Sequence, residues 1–171
     1  MIQPTRLKAL NDRPVKEGAS YVLYWMGLSQ RARFNHALEY AVTEANRLRL
    51  PVLVCYGIAE GIPEANARHW AFLLEGLAEV GPNLRERGIA FVARRQPPVE
   101  TALLYAAQAA LVVCDRNYQK PVRRFYADFA ERAPCRVVQV EGEVVVPVAT
   151  ASPKRPDAPT AVSMRRSRST T

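Results

Sequence analysis

Hydrophobic residues gather in five short runs along the chain, and longer amphipathic stretches separate them. Each run has five or six largely apolar residues, which is typical of strands that are buried on both faces of a sheet. The runs cover residues 21–26, 52–57, 89–93, 110–114 and 136–140. The pattern therefore predicts five β-strands.

The stretches between the strands have helical periodicity. Apolar residues recur at steps of three or four in two of them: Phe34, Leu38, Ala41, Ala45 and Leu48, then Trp70, Leu73, Leu77, Val80 and Leu84. Ser29 and Asn66 are suitable N-caps, and Gly88 can end the second helix. Two further helices are predicted over residues 98–108 and 120–133. In the last one we expect three side chains to face the core: Val122, Phe125 and Phe129.

Alternation of strand and helix predicts an α/β domain with a Rossmann-like, doubly wound, five-stranded parallel sheet and helices on both faces. Ligands of such sheets bind at the carboxyl ends of the strands. The loops after Met26, Gly57, Ala93 and Cys114 are therefore the expected site.

Composition divides the 171 residues into a folded domain, 1–150, and a tail, 151–171. The tail is rich in Ser, Thr, Pro and Arg without an apolar period, so we expect it to be disordered. It carries a net charge of +4, half of the total of +8. The folded part is only mildly basic, which by itself says little about nucleic-acid binding.

No stretch is long and apolar enough to predict a membrane helix, and no secretory signal is evident, so we expect a soluble, cytoplasmic protein with no membrane contact. The three cysteines lie in or beside β-branched runs and are interpreted as buried reduced thiols. The two histidines have no partners at ligand spacing, so no metal is expected.

Common ligand-binding motifs are missing from the sequence. The loop after the first strand reads MGLSQR, with one glycine where a dinucleotide-binding turn has G-x-G-x-x-G. No phosphate-binding G-x-x-x-x-G-K-[ST] loop and no G-x-S-x-G elbow occurs.

Polar side chains do cluster near two strand ends: Ser29, Gln30, Arg31 and Asn35, and then Asp115, Arg116 and Tyr118. They could be a capped, solvated helix start, or they could hold a planar ligand over that helix terminus. The residues alone lead to a ligand-binding α/β domain.

Several segments resemble class II cyclobutane-pyrimidine-dimer DNA photolyases, of the photolyase/cryptochrome family. They are YVLYWMGLSQRA at 21–32, NHAL at 35–38, PVLV at 51–54, RHWAFLLEGL at 68–77, VVCD at 112–115, VEGEVVVPV at 140–148 and AS-x-K at 151–154. The resemblance covers residues 4 to 154 and is to the family's amino-terminal domain. Two departures are a loop at 93–98 without the expected glycine, and a sequence from 155 onward that leaves the family's pattern, as a truncated or frameshifted reading frame would.

The resemblance implies a lyase that uses FAD and light to repair dimers in damaged DNA. The FAD pocket and the catalytic residues belong to the family's helical domain, which would be this chain's partner; no catalytic residue and no FAD are expected here. The amino-terminal domain often holds an antenna chromophore, an 8-hydroxy-5-deazaflavin or a folate. The candidate cofactor-binding residues lie at strand ends: Trp25, Met26, Gln30, Tyr56, Asp115 and Tyr118.

Two other functions remain open. A universal-stress-type, non-catalytic nucleotide-binding domain shares this topology, although residues 140–148 hold a single glycine instead of a glycine-rich phosphate loop. A basic nucleic-acid adaptor could use the arginine-rich tail, which lacks the aromatic residues that stack on bases.

The tail prediction can be tested by limited proteolysis. Because residues from about Arg155 onward bury no apolar stripe, trypsin should cut first after Arg165, Arg166 and Arg168 and leave the domain intact. Mass spectrometry over a time course measures the order of cleavage. Protection of these three sites while the domain is cut would show that the tail is docked.

Overall fold

The structure is a computed structural model that describes residues 2–59 and 65–151. The predicted tail beyond Ala151, with the motif residues Ser152 and Lys154, lies outside the described residues.

A single twisted sheet forms the centre of the domain. Its strands are β1 (Leu7–Ala9), β2 (Tyr21–Trp25), β3 (Val52–Gly57), β4 (Ala90–Arg94), β5 (Ala109–Asp115) and β6 (Arg136–Val140), in the order β1-β6-β5-β2-β3-β4. The five predicted strands, β2 to β6, pair parallel with one another, as expected.

The predicted number of strands was wrong, because β1 adds a sixth. It pairs antiparallel with β6, with Leu7 opposite Val140. The strand has three residues, one of them Lys8, and it lies at the edge of the sheet, so its sequence carries too short an apolar pattern to indicate a strand.

Helices cover both faces of the sheet, which confirms the doubly wound architecture. They are α1 (His36–Leu48), α2 (Ala67–Glu86), α3 (Pro98–Ala106), α4 (Lys120–Arg132) and the short α5 (Val148–Ala151), after a 3-10 turn at Pro4–Arg6. Buried side chains of α1 and α2 pack with one face of the sheet, and those of α3 and α4 pack with the other.

The caps of α2 are confirmed, whereas the predicted cap of α1 was wrong. Asn66 and His69 form a reciprocal capping box, and Gly88 follows α2 with a φ of 71°. Asn35, not Ser29, caps α1 through its side-chain oxygen. Phe34 consequently precedes the helix, with a φ of 53° and 90% of its surface exposed, instead of joining the apolar stripe.

The inward face of α4 also differs from the prediction. Phe129 is fully buried and Val122 is partly buried, but Phe125 is 58% exposed. Tyr126 takes the inward position instead, and its ring packs 4.9 Å from that of Trp25. The exposed Phe125 lies beside the cavity described below.

Cys55, Cys114 and Cys135 are free and buried, as predicted. Within residues 2–59 and 65–151, no helix is long and apolar enough to cross a membrane. The same residues contain no group of three or more His, Cys, Asp or Glu side chains arranged to hold a metal ion.

The thiols should not react in the native protein. Burial raises the pKa of Cys55 to about 12 and that of Cys135 to about 11, and it raises the pKa of Cys114 well above its ordinary value. At pH 8, Ellman's reagent should therefore release almost no colour from the folded chain and three equivalents in 6 M guanidinium. A rapid native reaction would contradict the buried positions of the thiols.

Candidate functional site

The end of β5 and the loop between β2 and α1 are joined by one buried side chain, Asp115. Its Oδ2 atom accepts hydrogen bonds from three consecutive backbone N–H groups, of Gly27 at 2.9 Å, Leu28 at 2.8 Å and Ser29 at 3.3 Å. The loop therefore wraps around a carboxylate that belongs to the neighbouring strand.

Tyr24 and Asn35 extend this link to the start of α1. The Tyr24 hydroxyl lies 3.0 Å from Asp115 Oδ1, and it accepts a hydrogen bond of 3.0 Å from Asn35 Nδ2. The same amide nitrogen donates to the carbonyl of Ser29 at 2.9 Å, while Asn35 Oδ1 accepts from the N–H of Leu38. One buried network thus fixes β2, β5, the loop and the helix cap together.

Burial sets the protonation properties of this network. Burial raises the pKa of Asp115, although the hydrogen bonds from Gly27, Ser29, Tyr24 and Leu28 oppose that shift. Burial and the nearby Asp115 raise the pKa of Tyr24 well above its ordinary value. Within the described part of the chain, the hydrogen bonds of the Asp115 carboxylate come from Tyr24 and from three N–H groups of the loop, so it positions the loop.

A cavity of about 560 Å³ opens beside this network, between α3 and α4 at the carboxyl ends of β2 and β3. Its wall is mainly aromatic and aliphatic: Trp25, Met26, Tyr56, Pro97, Pro98, Val99, Val122, Phe125 and Tyr126. Glu100 and Asp128 also line it, and both pair with Arg132 at 3.0 Å. A cavity of this size and lining suits a flat, largely apolar ligand.

Two glycines allow the backbone to form the cavity. A Cβ at Gly57 would lie 2.5 Å from the Cα of Pro98, so a larger residue would push α3 away from the end of β3. A Cβ at Gly27 would lie 3.0 Å from the Tyr126 hydroxyl and 3.5 Å from Asp115 Oδ2. The Trp25 ring packs against two neighbouring rings, with its centroid 4.7 Å from that of Phe129 and 4.9 Å from that of Tyr126.

The six candidate cofactor-binding residues separate into three groups. Trp25, Met26 and Tyr56 line the cavity. Gln30 adjoins it, since its Nε2 donates to the Tyr56 hydroxyl at 3.0 Å. Asp115 contacts the loop backbone instead, and Tyr118 lies in a different groove, where its hydroxyl donates to Glu141.

The other polar residues of the predicted cluster serve the same loop. The Ser29 hydroxyl donates to the Glu143 carboxylate, and the Arg31 guanidinium lies 3.6 Å from that carboxylate. Sequence reasoning missed the contributions of α3 and α4 to the cavity, above all those of Val122, Phe125 and Tyr126. The helical period placed Val122 and Phe125 on the core-facing stripe, so the apolar pattern gave no signal that these two residues line a cavity.

Comparison with known proteins gives the family. A family model described as DNA photolyase matches residues 22–169. The chain belongs to the DNA photolyase family.

Relatives support this membership. The chain is 44% identical over 154 residues to the deoxyribodipyrimidine photo-lyase of Methanothermobacter thermautotrophicus, covering 90% of this chain and 35% of that protein. It is 29% identical over 160 residues to the Arabidopsis thaliana enzyme of the same name, covering 90% and 32%. The chain therefore spans about a third of the length of these photolyases.

Solved structures show the fold. A universal stress protein from Archaeoglobus fulgidus matches with a TM-score of 0.51 at 16% identity, over 71% of this chain and 98% of that one. A universal stress protein in complex with cAMP matches with a TM-score of 0.50 at 16% identity, over 73% and 99%. The likeness establishes a shared α/β topology.

Replacing Asp115 tests the loop network. Asp115→Ala leaves buried N–H groups and the Tyr24 hydroxyl without their acceptor, so it should lower the free energy of unfolding by about 3 kcal/mol or more. Asp115→Asn keeps one acceptor oxygen but directs an amide group toward donors, and should cost roughly 1–3 kcal/mol. Urea denaturation followed by circular dichroism measures both.

The matched control is Asp128→Asn, which changes an exposed carboxylate that contacts Arg132. It should alter the stability far less than either Asp115 variant. Equal effects at positions 115 and 128 would contradict the role assigned to the buried carboxylate.

Proposed function

We propose that the chain is the amino-terminal α/β domain of a class II deoxyribodipyrimidine photo-lyase, which repairs cyclobutane pyrimidine dimers in DNA with light. Family membership and the 44% identity to the archaeal photolyase support this proposal. The dimer site and FAD would lie in the helical domain, which makes up the family's remaining length. The domain's own contribution would be to hold an antenna chromophore.

The single observation that carries the antenna proposal is the aromatic cavity at the carboxyl ends of β2 and β3. Trp25, Met26 and Tyr56 would contact the chromophore, with Gln30 orienting the Tyr56 hydroxyl. In this proposal Asp115 and Tyr118 act less directly, Asp115 by fixing the loop that carries Gly27.

The lining also bears on the kind of ligand. Of the described residues that line the cavity, none is Lys or Arg, while Glu100 and Asp128 are among them. This favours a flat ring system inside the cavity, with any phosphates outside, over a nucleotide whose phosphates need cations or free N–H groups. An 8-hydroxy-5-deazaflavin and the pterin of a folate both have such a ring system.

Chromophore binding tests the proposal with matched phenylalanine variants. The chain should bind 8-hydroxy-5-deazaflavin or a reduced folate, measured by fluorescence anisotropy in separate titrations. Phe125→Ser removes a ring from the cavity wall and should weaken binding at least tenfold. Phe72→Ser removes an 80% exposed ring from α2, outside the cavity, and should leave affinity within twofold.

Equal affinities of the two variants, or no binding of either compound, would contradict an antenna site here. The wider proposal is tested by joining residues 1–151 to the remaining length of the archaeal photolyase. That chimera should carry FAD and remove dimers under blue light, measured as dimer loss in irradiated DNA. A folded, FAD-loaded chimera without repair would count against the assignment.

A further inference from the structure

A further concave surface lies between α2 and the loop that joins β2 to α1. It is a groove of about 530 Å³, on the side of the sheet that α1 and α2 cover. Buried side chains of Ala32 and Val80 lie at its base. We call it the α2 groove. Its two rims carry Arg33 and Phe34 on the loop, and Gly76, Glu79 and Asn83 on α2.

Phe34 projects from the loop rim into solvent. Its φ is 53° and 90% of its surface is exposed, so the ring does not fill the groove beside it. A bulky residue seldom adopts this left-handed backbone, and neighbouring contacts hold it here. The Arg31 Nε donates to the Phe34 carbonyl at 3.1 Å, and the next residue, Asn35, caps α1. The loop therefore presents an aromatic ring in a fixed position.

The opposite rim contains a recess at Gly76. A Cβ built there would meet no atom within 4 Å. Glycine inside a helix lowers stability relative to alanine, and packing within the described residues gives no reason for it at this position. Gly76, Glu79 and Asn83 follow helical spacing and share one face of α2. The absent side chain leaves room on that face for a side chain from outside the chain.

The two rims carry opposite charges. Arg33 on the loop and Glu79 on α2 are both exposed. Neither forms an ion pair with any residue in 2–59 or 65–151. The nearby carboxylate of Glu39, by contrast, pairs with Arg87 at 2.8 Å. One unpaired cation and one unpaired carboxylate thus face solvent on the two sides of one groove.

Hydrogen bonds hold the two rims in place. Arg87, which directly follows α2, donates to the Ala32 carbonyl of the loop and pairs with Glu39 of α1. The Asn35 Nδ2 donates to the carbonyls of Ser29 and Arg31 at 2.9 and 3.2 Å. The groove is therefore formed before any partner binds, which lowers the entropy that binding costs.

We propose that the α2 groove is the interface of a two-fold symmetric dimer formed with a second copy of this chain. Phe34 of each copy enters the recess at Gly76 of the other, and Arg33 of each copy pairs with Glu79 of the other. A two-fold axis brings the same surface of both copies together, so the surface must complement itself. The proposal is independent of the proposed function.

Self-complementarity is the reason for choosing a second copy as the partner. An acidic partner would match only the loop rim, and a basic partner only the α2 rim. The projecting ring also needs a recess on whatever covers it, and this chain carries one within the same groove. In this interface the buried ring contributes most of the affinity, whereas the exposed charge pairs set the register of the two copies.

Charge exchange between the rims tests the dimer directly. The full chain is examined by sedimentation velocity from about 1 to about 200 μM, where the unchanged chain should form dimers. Arg33→Glu and Glu79→Arg each place like charges at both contacts, so each variant alone should dimerise about tenfold more weakly. An equimolar mixture of the two variants again has opposite charges at both contacts. It should form a heterodimer about as tight as the original dimer.

The ring and the recess are tested by variants that suit the fold. Phe34→Asn removes the ring and accepts the left-handed backbone. Gly76→Met fills the recess and removes a glycine from a helix. Each should weaken the dimer about tenfold or more, while thermal melting at low concentration should not fall. Leu104→Ser is the control, because it removes a 50% exposed apolar side chain from α3, and should leave dimerisation within about twofold.

Three results would each overturn the proposal: a chain that stays monomeric at about 200 μM, a mixture of the charge variants that stays monomeric, or a dimer that Phe34→Asn leaves unchanged. The last result would place self-association on another surface, such as the one around Val145, which is 95% exposed. These measurements use neither light, chromophore nor DNA. Their failure therefore leaves the tests of the proposed function standing.

Discussion

The carboxylate of Asp115 is the interaction on which the arrangement of this domain depends. A loop that leaves β2 and must turn into α1 exposes successive N–H groups, and buried N–H groups without partners are costly. Asp115 supplies one acceptor atom to three of them from the adjacent strand. The pairing of β2 with β5 therefore sets the loop, and the loop sets one side of the cavity.

The same constraint explains why small residues are needed where the chain turns. Gly27 brings the loop within reach of both Asp115 and the Tyr126 hydroxyl, and any Cβ there would meet them at 3.5 and 3.0 Å. Gly57 likewise allows the end of β3 to lie close to Pro98. At Gly57 the end of β3 approaches α3 more closely than a side chain would allow, whereas a side chain at Gly27 would require a small shift of the Tyr126 hydroxyl.

The sequence predicted well those features that depend on local periodicity. Five parallel strands, four helices and the cap at Asn66 follow from apolar spacing and from the chemistry of helix ends. Ser29 was predicted to cap α1, and the use of Asn35 instead depends on its contact with Tyr24, which is a tertiary interaction. This contact cannot be predicted from the local sequence around the helix start.

The site was harder to predict for a related reason. The strand ends that hold Trp25, Met26 and Tyr56 were identified because parallel strands end at one edge of the sheet. The contribution of α4 was missed, since an apolar side chain such as Phe125 has the same appearance in a helical pattern whether it meets the core or a cavity. To decide whether such a side chain meets the core or the cavity, one must know how the helix is rotated about its axis.

Helix α4 lines a cavity as well as packing on the core. Val122 and Phe125 line the apolar cavity, and Tyr126 borders both that cavity and the smaller groove that contains Tyr118. The segment that follows β6 is held by two buried residues, Arg6 and Glu141. The Arg6 guanidinium donates to the carbonyls of Glu141, Val144 and Val145 at 3.2, 3.0 and 2.8 Å.

Glu141 in turn accepts hydrogen bonds from the N–H of Val148 and from the hydroxyl of Tyr118. The segment after β6 is thereby tied to Tyr118, and through Arg6 it is tied to the 3-10 turn that precedes β1. Since Arg6 and Glu141 are both buried, losing either would leave polar groups without partners and would release the ring on which Arg116 stacks. The groove that contains Tyr118 and the apolar cavity thus each adjoin a buried carboxylate, Glu141 and Asp115 respectively, that accepts hydrogen bonds from backbone N–H groups.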